Sequence, residues 1–309
     1  MLEKKKVRLL HIHRSTAATR PLIRRMLQKD PTLANIYLLS STQLSEDFHI
    51  PFERANKLFI DLHNRNHLAS LISDLRKYKV VTIFDESYPP MLKTINDPPL
   101  VLYFLGNPDL FFQMPALSVV GTRNPSMEAK NKMNYLLMPI IQQGWVIVSG
   151  MAKGIDGYAH KLAMESKGKT IAVLGSGLNQ IYPKEHTGLF EQLKRTQLII
   201  SEYPPNTPPR RHYFPERNRI ISGLGYGTIV IEAKQKSGSL ITVDQALDQG
   251  REVYAVPDSP LIIQSSGCHK MIQDGAKLVQ NTYDLLEDWE TQSGKWGRIM
   301  SEFTEKRSF

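Results

Sequence analysis

The chain of 309 residues contains a single cysteine, Cys268. One thiol excludes an intrachain disulfide and a zinc site built from several thiolates. The basic N-terminus lacks the apolar run of a signal peptide, and no stretch approaches the roughly 20 apolar residues that a membrane span requires. These absences lead us to expect a cytoplasmic protein.

Glycine is absent from the first 105 residues, and all 19 glycines lie from Gly106 onward. Within the glycine-free part, apolar residues recur at spacings of three and four, which predicts helices. We predict a small all-helical domain over residues 1–79. The proline-rich segment 80–115 that follows is interpreted as a linker or an extension of the core.

Short β-branched runs alternate with segments of helical spacing from residue 116 to residue 288. This alternation is typical of βαβ units, and strands that are apolar on both faces fit a sheet covered by helices on both sides. We predict an α/β fold with a Rossmann-like, doubly wound, mostly parallel sheet over 116–288 and a short C-terminal tail over 289–309. The predicted strands cover 117–120, 145–148, 170–174, 198–200, 228–231 and 252–256.

The formal net charge of +9 and the sequence pI of about 9.4 make polyanions candidate partners. The charge is uneven, because residues 76–290 hold 23 Lys and Arg against 21 Asp and Glu. An anion site in this nearly neutral region therefore needs a local cluster of cations. One such cluster consists of Arg210, Arg211, Arg217 and Arg219.

Three predicted strands lead directly into glycine-containing loops that precede predicted helices. The candidate phosphate-binding residues of these loops are Gly121, Arg123, Ser126, Gly150, Lys153, Gly175, Ser176 and Gly177. Helix N-termini present free N–H groups to anions, and such loops gather at the carboxyl edge of a parallel sheet. Glycine also serves tight turns, but three loops at one edge favour anion binding.

The glycine loops do not identify a nucleotide cofactor. Nothing matches the P-loop pattern, and the dinucleotide fingerprint that starts at Gly175 has Gln180 where its third glycine belongs. Glu202, after the next strand, leaves a ribose contact open. We predict no bound cofactor.

Arginines and aromatic residues alternate over 210–219, at the start of a predicted helix. Arginine neutralises phosphates and aromatic rings stack on exposed bases, a combination that favours single-stranded nucleic acid. Phe214 is the candidate stacking residue, and Arg211 the candidate phosphate contact. Arg217 and Arg219 join the candidate contacts, although a pair with a nearby carboxylate is the alternative for both. The loop 237–242 is interpreted as a helix cap without chemistry.

Catalytic and metal-binding motifs are absent from the sequence. Cys268 and His269 are adjacent and point in different directions in any regular element, so we interpret the pair as structural. An alternative enzyme function rests on residues 225–228 with Glu232, which partly match the motif of nucleotide phosphoribohydrolases but lack its tandem glycine. A second alternative is a protein adaptor that binds no DNA. We predict no catalytic residue and no metal.

Over roughly residues 80–285, the sequence resembles the DprA/Smf family of DNA-processing proteins. The matching segments are 88–92 with 98–99, 120–123, 149–156, 181–183, 214–221, 237–242, Gly267 and 274–276. The resemblance implies a Rossmann-like core without catalysis or bound nucleotide. It also implies a homodimer that binds single-stranded DNA, protects it and loads the RecA recombinase during natural transformation.

Individual roles follow by position from the same resemblance. Arg123, Lys184 and Arg211 would hold phosphates, and Phe214 would stack on a base. The segment 267–278 would serve self-association, with contacts assigned to His269, Ile272 and Leu278. For the N-terminal domain, the resemblance implies a helical domain of the sterile-alpha-motif type.

Overall fold

A computed structural model of the protein describes residues 2–305. The chain divides into two compact units. The first unit contains residues up to 85 together with 99–102, and the second contains 86–98 together with the chain from 103 onward.

The first unit is built mainly from helices, as the spacing of its apolar residues predicts. Its regular elements are α1 (Leu2–Arg14), α2 (Arg20–Lys29), α3 (Ser41–Phe48), α4 (Phe52–His63), α5 (Arg65–Lys77) and the strand β1 (Lys79–Thr82). Ser40 caps the N-terminus of α3 with a capping box. The hydroxyl of Ser40 accepts from the backbone N–H of Gln43, and the side-chain oxygen of Gln43 accepts from the backbone N–H of Ser40. Arg14 of α1 pairs with Asp74 of α5 at 2.5 Å, and both side chains are buried. The helical prediction is confirmed, and the sterile-alpha-motif type stays a prediction.

The remaining elements alternate between strands and helices. They are α6 (Pro90–Lys93), β2 (Val101–Gly106), β3 (Ala116–Val120), α7 (Ala129–Gln142), β4 (Val146–Ser149), α8 (Ile155–Glu165), β5 (Lys169–Leu174), α9 (Thr187–Thr196), β6 (Leu198–Ser201), α10 (Tyr213–Leu224), β7 (Gly227–Val230), α11 (Ser239–Asp248), β8 (Glu252–Ala255), α12 (Ser266–Gln273), β9 (Lys277–Leu278) and α13 (Tyr283–Glu305). Each of the six predicted strands coincides with one of β3 to β8.

Within residues 2–305, nine strands form one sheet in the order β1-β2-β6-β5-β4-β3-β7-β8-β9. In this spatial order, every pair of neighbouring strands between β6 and β9 is parallel. The strand β2 pairs with β6 in the antiparallel direction. The strand order reverses at β3, which pairs with β4 on one side and with β7 on the other. The Rossmann-like, mostly parallel sheet is confirmed. Ligands of such sheets bind beyond the carboxyl ends of the strands at the point of reversal.

The core of the second unit lies between the central strands and the helices that cover them. Strand residues such as Ile147 and Ile229 are fully buried against Leu137 of α7 and Ala159 of α8. Because β3, β4 and β7 are buried at every position, they are held rigidly. Their carboxyl ends are thereby fixed supports for the loops that follow.

The segment 80–115 carries α6 and the whole of β2, and its apolar residues, among them Tyr88 and Leu92, are fully buried. Of its two sequence interpretations, the structure favours the extension of the core over the linker. Residues 289–305, interpreted as a tail, belong to α13, and Trp296 is buried in the core. The last four residues of the predicted tail, 306–309, lie outside the described residues.

Candidate nucleic-acid interface

A cleft of about 650 Å³ opens at the carboxyl edge of the sheet. Its walls come from the loops after β3, β4 and β7 and from the first turns of α10 and α11. A small cavity of about 30 Å³ adjoins it and shares Arg123, Tyr182, Phe214 and Arg217 with it. The glycine loops and the arginine-aromatic segment therefore meet at one place.

Phe214 lies between the two cavities in a cage of aromatic and cationic groups. The ring of Tyr182 is centred 5.4 Å from the ring of Phe214. The guanidinium groups of Arg123 and Arg217 lie 5.9 Å and 6.0 Å from its centroid. The ring of Phe214 lies directly against the backbone of Gly175, where an added Cβ would be 2.8 Å from the ring carbon Cδ1. The half-buried ring is thus a fixed platform beside positive charge.

Four exposed cations line the larger cavity: Arg123, Arg211, Lys234 and Lys236. In the part of the chain that the structure describes, none of the four forms an ion pair with a carboxylate. Lys153 lines the smaller cavity, but its ammonium pairs with Glu185 at 2.6 Å. That pair is about half exposed, so we expect it to hold Lys153 only weakly. The cleft therefore presents unneutralised positive charge.

Asp156 is the one acidic residue among those that line the larger cavity. Its buried carboxylate accepts from the N–H groups of Gly150 and Ala152 at 3.2 Å and 3.4 Å. Burial raises the pKa of the Asp156 carboxyl, and the positive charge of Arg217 opposes that rise. Burial also lowers the pKa of Arg217 to about 10, which leaves its guanidinium protonated at neutral pH. Asp156 and Arg217 therefore interact inside the protein, where neither adds to the exposed charge of the cleft.

Arg217 and Arg219 have partners inside the protein. Arg217 donates to the carbonyl of Gly150 at 2.7 Å and to the carbonyl of Val173. Arg219 pairs with Glu202 at 2.7 Å and with the half-exposed Asp97 at 3.1 Å. Both arginines are about 5% exposed or less. The structure favours the carboxylate-pair alternative for Arg219, whereas Arg217 is held by backbone carbonyls.

The carboxylate of Glu202 is likewise committed to Arg219 and buried. A ribose hydroxyl would have to displace this ion pair to reach it. The adenosine contact that the sequence left open is therefore disfavoured by the structure.

Ser126 and Glu232 form a second internal network next to the cleft. The hydroxyl of Ser126 donates to Glu232 at 2.5 Å, and its N–H donates to the same carboxylate at 2.8 Å. The ammonium of Lys132 binds Glu232 at 2.8 Å and also pairs with Asp258. Because Glu232 is fully buried and paired, it lacks the access that a catalytic carboxylate of a phosphoribohydrolase needs.

The remaining predicted loop residues occupy several environments. Gly177 packs against the backbone, where a Cβ would lie 2.2 Å from the carbonyl oxygen of Pro204. Ser176 is buried and donates to the carbonyl of Gln180 at 2.7 Å. Gly121 lines the larger cavity and Gly150 the smaller one.

Lys184 is exposed and lies outside the lining of both cavities, immediately after Pro183, which lines the smaller one. Its predicted phosphate contact therefore requires a ligand that extends beyond the cleft.

The loop after β7 is the part of the cleft that sequence reasoning missed. Lys234, Lys236 and residues 237–239 line it, as do Ile241 and Thr242. The signal was present in the sequence, because this loop follows a predicted parallel strand and so must lie at the same edge as the other three. Because a helix cap accounted for residues 237–242, sequence reasoning did not assign them to the carboxyl edge of the sheet.

The predicted dimer residues lie in or beside α12. His269 is partly buried and its Nε2 lies 2.9 Å from the carbonyl oxygen of Asp258. Ile272 is half-buried, and Leu278 is 41% exposed. Leu261 and Ile263, 85% and 66% exposed, place further apolar surface in the same stretch of chain.

Cys268 is buried, and burial raises the pKa of its thiol to about 12. A thiol protonated at neutral pH is a poor nucleophile and a poor metal ligand. Among the described residues, no three His, Cys, Asp or Glu side chains are grouped to hold a metal ion.

Within residues 2–305, every helix is too short or too polar to cross a bilayer.

The doubly wound sheet defines a Rossmann-like protein with a cationic, aromatic cleft at its carboxyl edge. Residues 79–290 match the family model described as DNA recombination-mediator protein A. The chain belongs to this family of DprA/Smf DNA-processing proteins.

Two curated relatives and two solved structures illustrate the similarity. The chain is 46% identical to the DNA processing protein DprA of Bacillus subtilis over 67% of this chain and 70% of the relative. It is 44% identical to DprA of Streptococcus pneumoniae over 72% and 78% of the two chains. The crystal structure of S. pneumoniae DprA matches with a TM-score of 0.79 and 36% identity, covering 90% of this chain and 95% of that one.

A structure of DprA from Helicobacter pylori, described by its single-stranded DNA binding mode, matches with a TM-score of 0.63 and 26% identity. The match covers 70% of this chain and 97% of that one.

Proposed function

We propose that this protein binds single-stranded DNA in the cleft at the carboxyl edge of its sheet, and that it acts by binding and not by catalysis. The observation that carries the proposal is the position of a half-buried phenylalanine ring among exposed, unneutralised cations. Cations hold phosphates of any sequence, whereas a ring stacks only on a base that is free of its complement. The combination therefore favours single strands over duplex.

Within this proposal, Arg123 and Arg211 hold phosphates and Phe214 stacks on a base. Lys153 and Lys184 bind further phosphates on the side of the smaller cavity. To do so, the ammonium of Lys153 leaves its ion pair with Glu185. Gly121, Gly150 and Gly175 line the two cavities, and Gly175 lets the ring of Phe214 lie against the backbone. The remaining candidates shape the site from inside: Ser126, Ser176, Gly177, Arg217 and Arg219.

The experiment is a titration of fluorescein-labelled oligo-dT, followed by anisotropy at several salt concentrations. Arg123→Ala and Phe214→Ala should each weaken binding, the latter by about 1–3 kcal/mol or roughly 5- to 150-fold. Lys194→Ala, an exposed cation on α9, is the matched control and should bind as the wild type does.

A labelled duplex should bind more weakly than oligo-dT. The proposal fails if both variants bind oligo-dT with wild-type affinity, or if the wild type prefers the duplex.

The finer proposal is that this protein protects incoming strands in the cytoplasm and loads the RecA recombinase onto them. Support comes from the description of the family as a recombination mediator. The readout is DNA-dependent ATP hydrolysis by RecA on strands already coated with a single-strand-binding protein. Stimulation by the wild type but not by Arg123→Ala would support loading, and no stimulation by the wild type would contradict it.

A further inference from the structure

The segment 234–242, which consists of the end of the loop after β7 and the first turn of α11, forms a wall of the cleft that none of the roles above uses. It lies where the strand order of the sheet reverses, because β7 and β4 flank β3 on opposite sides. We infer that this wall is a second phosphate-binding subsite, formed by Lys234, Lys236, the hydroxyl of Thr242 and the first turn of α11. The inference rests on the proposed function and deepens it.

The first turn of α11 is only partly capped. The N–H of Ser239 donates to the hydroxyl of Ser237 at 3.4 Å, and the N–H of Leu240 donates to the carbonyl of Ser237 at 3.1 Å. No side-chain cap bonds at Gly238, and the first turn contains no acidic residue. The first N–H groups of a helix have no partner within it, and the helix dipole makes this end positive. Gly238 and Ser239 line the cleft at this end of the helix.

Thr242 supplies an independent indication of a ligand. The residue lines the cleft although it is only 1% exposed. Among the described residues no hydrogen bond of its hydroxyl is found, whereas the hydroxyl of Ser118 donates to the carbonyl of Ile221 at 2.7 Å. A hydroxyl without a partner, in a residue that lines a polar cleft, can donate to a ligand.

Lys234 and Lys236 add two exposed ammonium groups to this donor set. No ion pair holds either of them within the described chain. Backbone N–H groups, a hydroxyl and two cations together fit a phosphate, which offers several charged acceptor oxygens. A phosphate at this subsite could belong either to the backbone of the bound strand or to a free nucleoside phosphate.

The test uses two lesions with matched controls in the full chain. Lys234→Ala/Lys236→Ala removes both cations, and Thr242→Val removes the hydroxyl at nearly constant volume. The controls are Lys161→Ala/Lys194→Ala, two exposed lysines outside the cleft, and Thr242→Ser, which keeps the hydroxyl. Thermal melting of each variant establishes that it is folded.

If the phosphate belongs to the strand, the affinity of the double lysine variant for oligo-dT depends less steeply on salt. The magnitude of the slope of log K against log salt decreases by about 1.4, or about 0.7 per lost phosphate contact. Thr242→Val weakens oligo-dT binding on the order of tenfold, and Thr242→Ser restores it. If the phosphate belongs to a free nucleotide, the losses appear only in calorimetric titrations with dTDP. Either pattern supports the subsite.

Wild-type behaviour of both lesions toward oligo-dT and dTDP, while Arg123→Ala still loses oligo-dT, overturns the subsite and leaves the proposed function intact. Failure of the wild type to bind oligo-dT overturns the proposed function instead. The two failures are therefore distinguishable.

Discussion

Phe214 and Gly175 are closely fitted to each other in the cleft. A Cβ on Gly175 would lie 2.8 Å from the ring carbon Cδ1 and 3.1 Å from Cε1, well inside normal contact distance. The sequence predicts a phosphate-binding loop at Gly175. The structure adds a steric role, because only a residue without a side chain lets the ring of Phe214 lie directly against the backbone.

Gly175→Ala should therefore displace the ring and weaken binding of oligo-dT by about the value of one stacked base, roughly 1–3 kcal/mol. The backbone at Gly175 lies outside the left-handed region, so the effect on stability should be small. Gly188→Ala is the control, since its added methyl group would meet nothing within 4 Å. Equal affinities of the two variants, measured by anisotropy, would contradict this role for Gly175.

At the scale of elements, α13 shows how a segment at the end of the sequence completes the core. Trp289 packs against Trp145 and Tyr226, with ring centroids 6.1 Å and 5.0 Å apart. Trp296 is 2% exposed and lies 4.4 Å from the guanidinium of the buried Arg251. The helix therefore covers apolar surface that belongs to the sheet and its helices.

Trp296→Ala should destabilise the second unit by about 3–5 kcal/mol, because it empties a large buried volume. A loss of that size lowers the melting temperature by roughly 6–20 °C in a unit of this length. Arg298→Ala, at an exposed position of the same helix, should melt within about a degree or two of the wild type. Calorimetry that gives both variants the same melting temperature would refute a core role for α13.

At the scale of the whole molecule, the homodimer that the family resemblance implies would place two clefts on one strand. Leu278, Leu261 and Ile263 offer apolar groups for self-association that a monomer leaves in water. A long strand bound at two clefts gains affinity from the high effective concentration of the second.

Leu278→Arg should convert a dimer to a monomer in analytical ultracentrifugation, because each copy would bring a charge to an apolar contact. Binding of long oligo-dT should weaken more than binding of short oligo-dT, since only long strands span two clefts. Leu38→Arg, which adds the same charge at an 80% exposed position in the helical unit, is the control. A monomeric wild type at micromolar concentration would end the dimer proposal.

The sequence by itself determined the order of strands and helices, because a buried parallel sheet requires apolar runs that no surface segment carries. It also placed the glycine loops at one edge of that sheet, since parallel strands all end there. The tertiary structure alone decided which cations face the solvent. Arg217 and Arg219 differ from Arg211 only in the partners that other elements bring to them, and Thr242 becomes a candidate ligand only when the loop after β7 closes the cleft. Burial and ion pairing depend on contacts between segments far apart in the chain, which local sequence patterns do not encode.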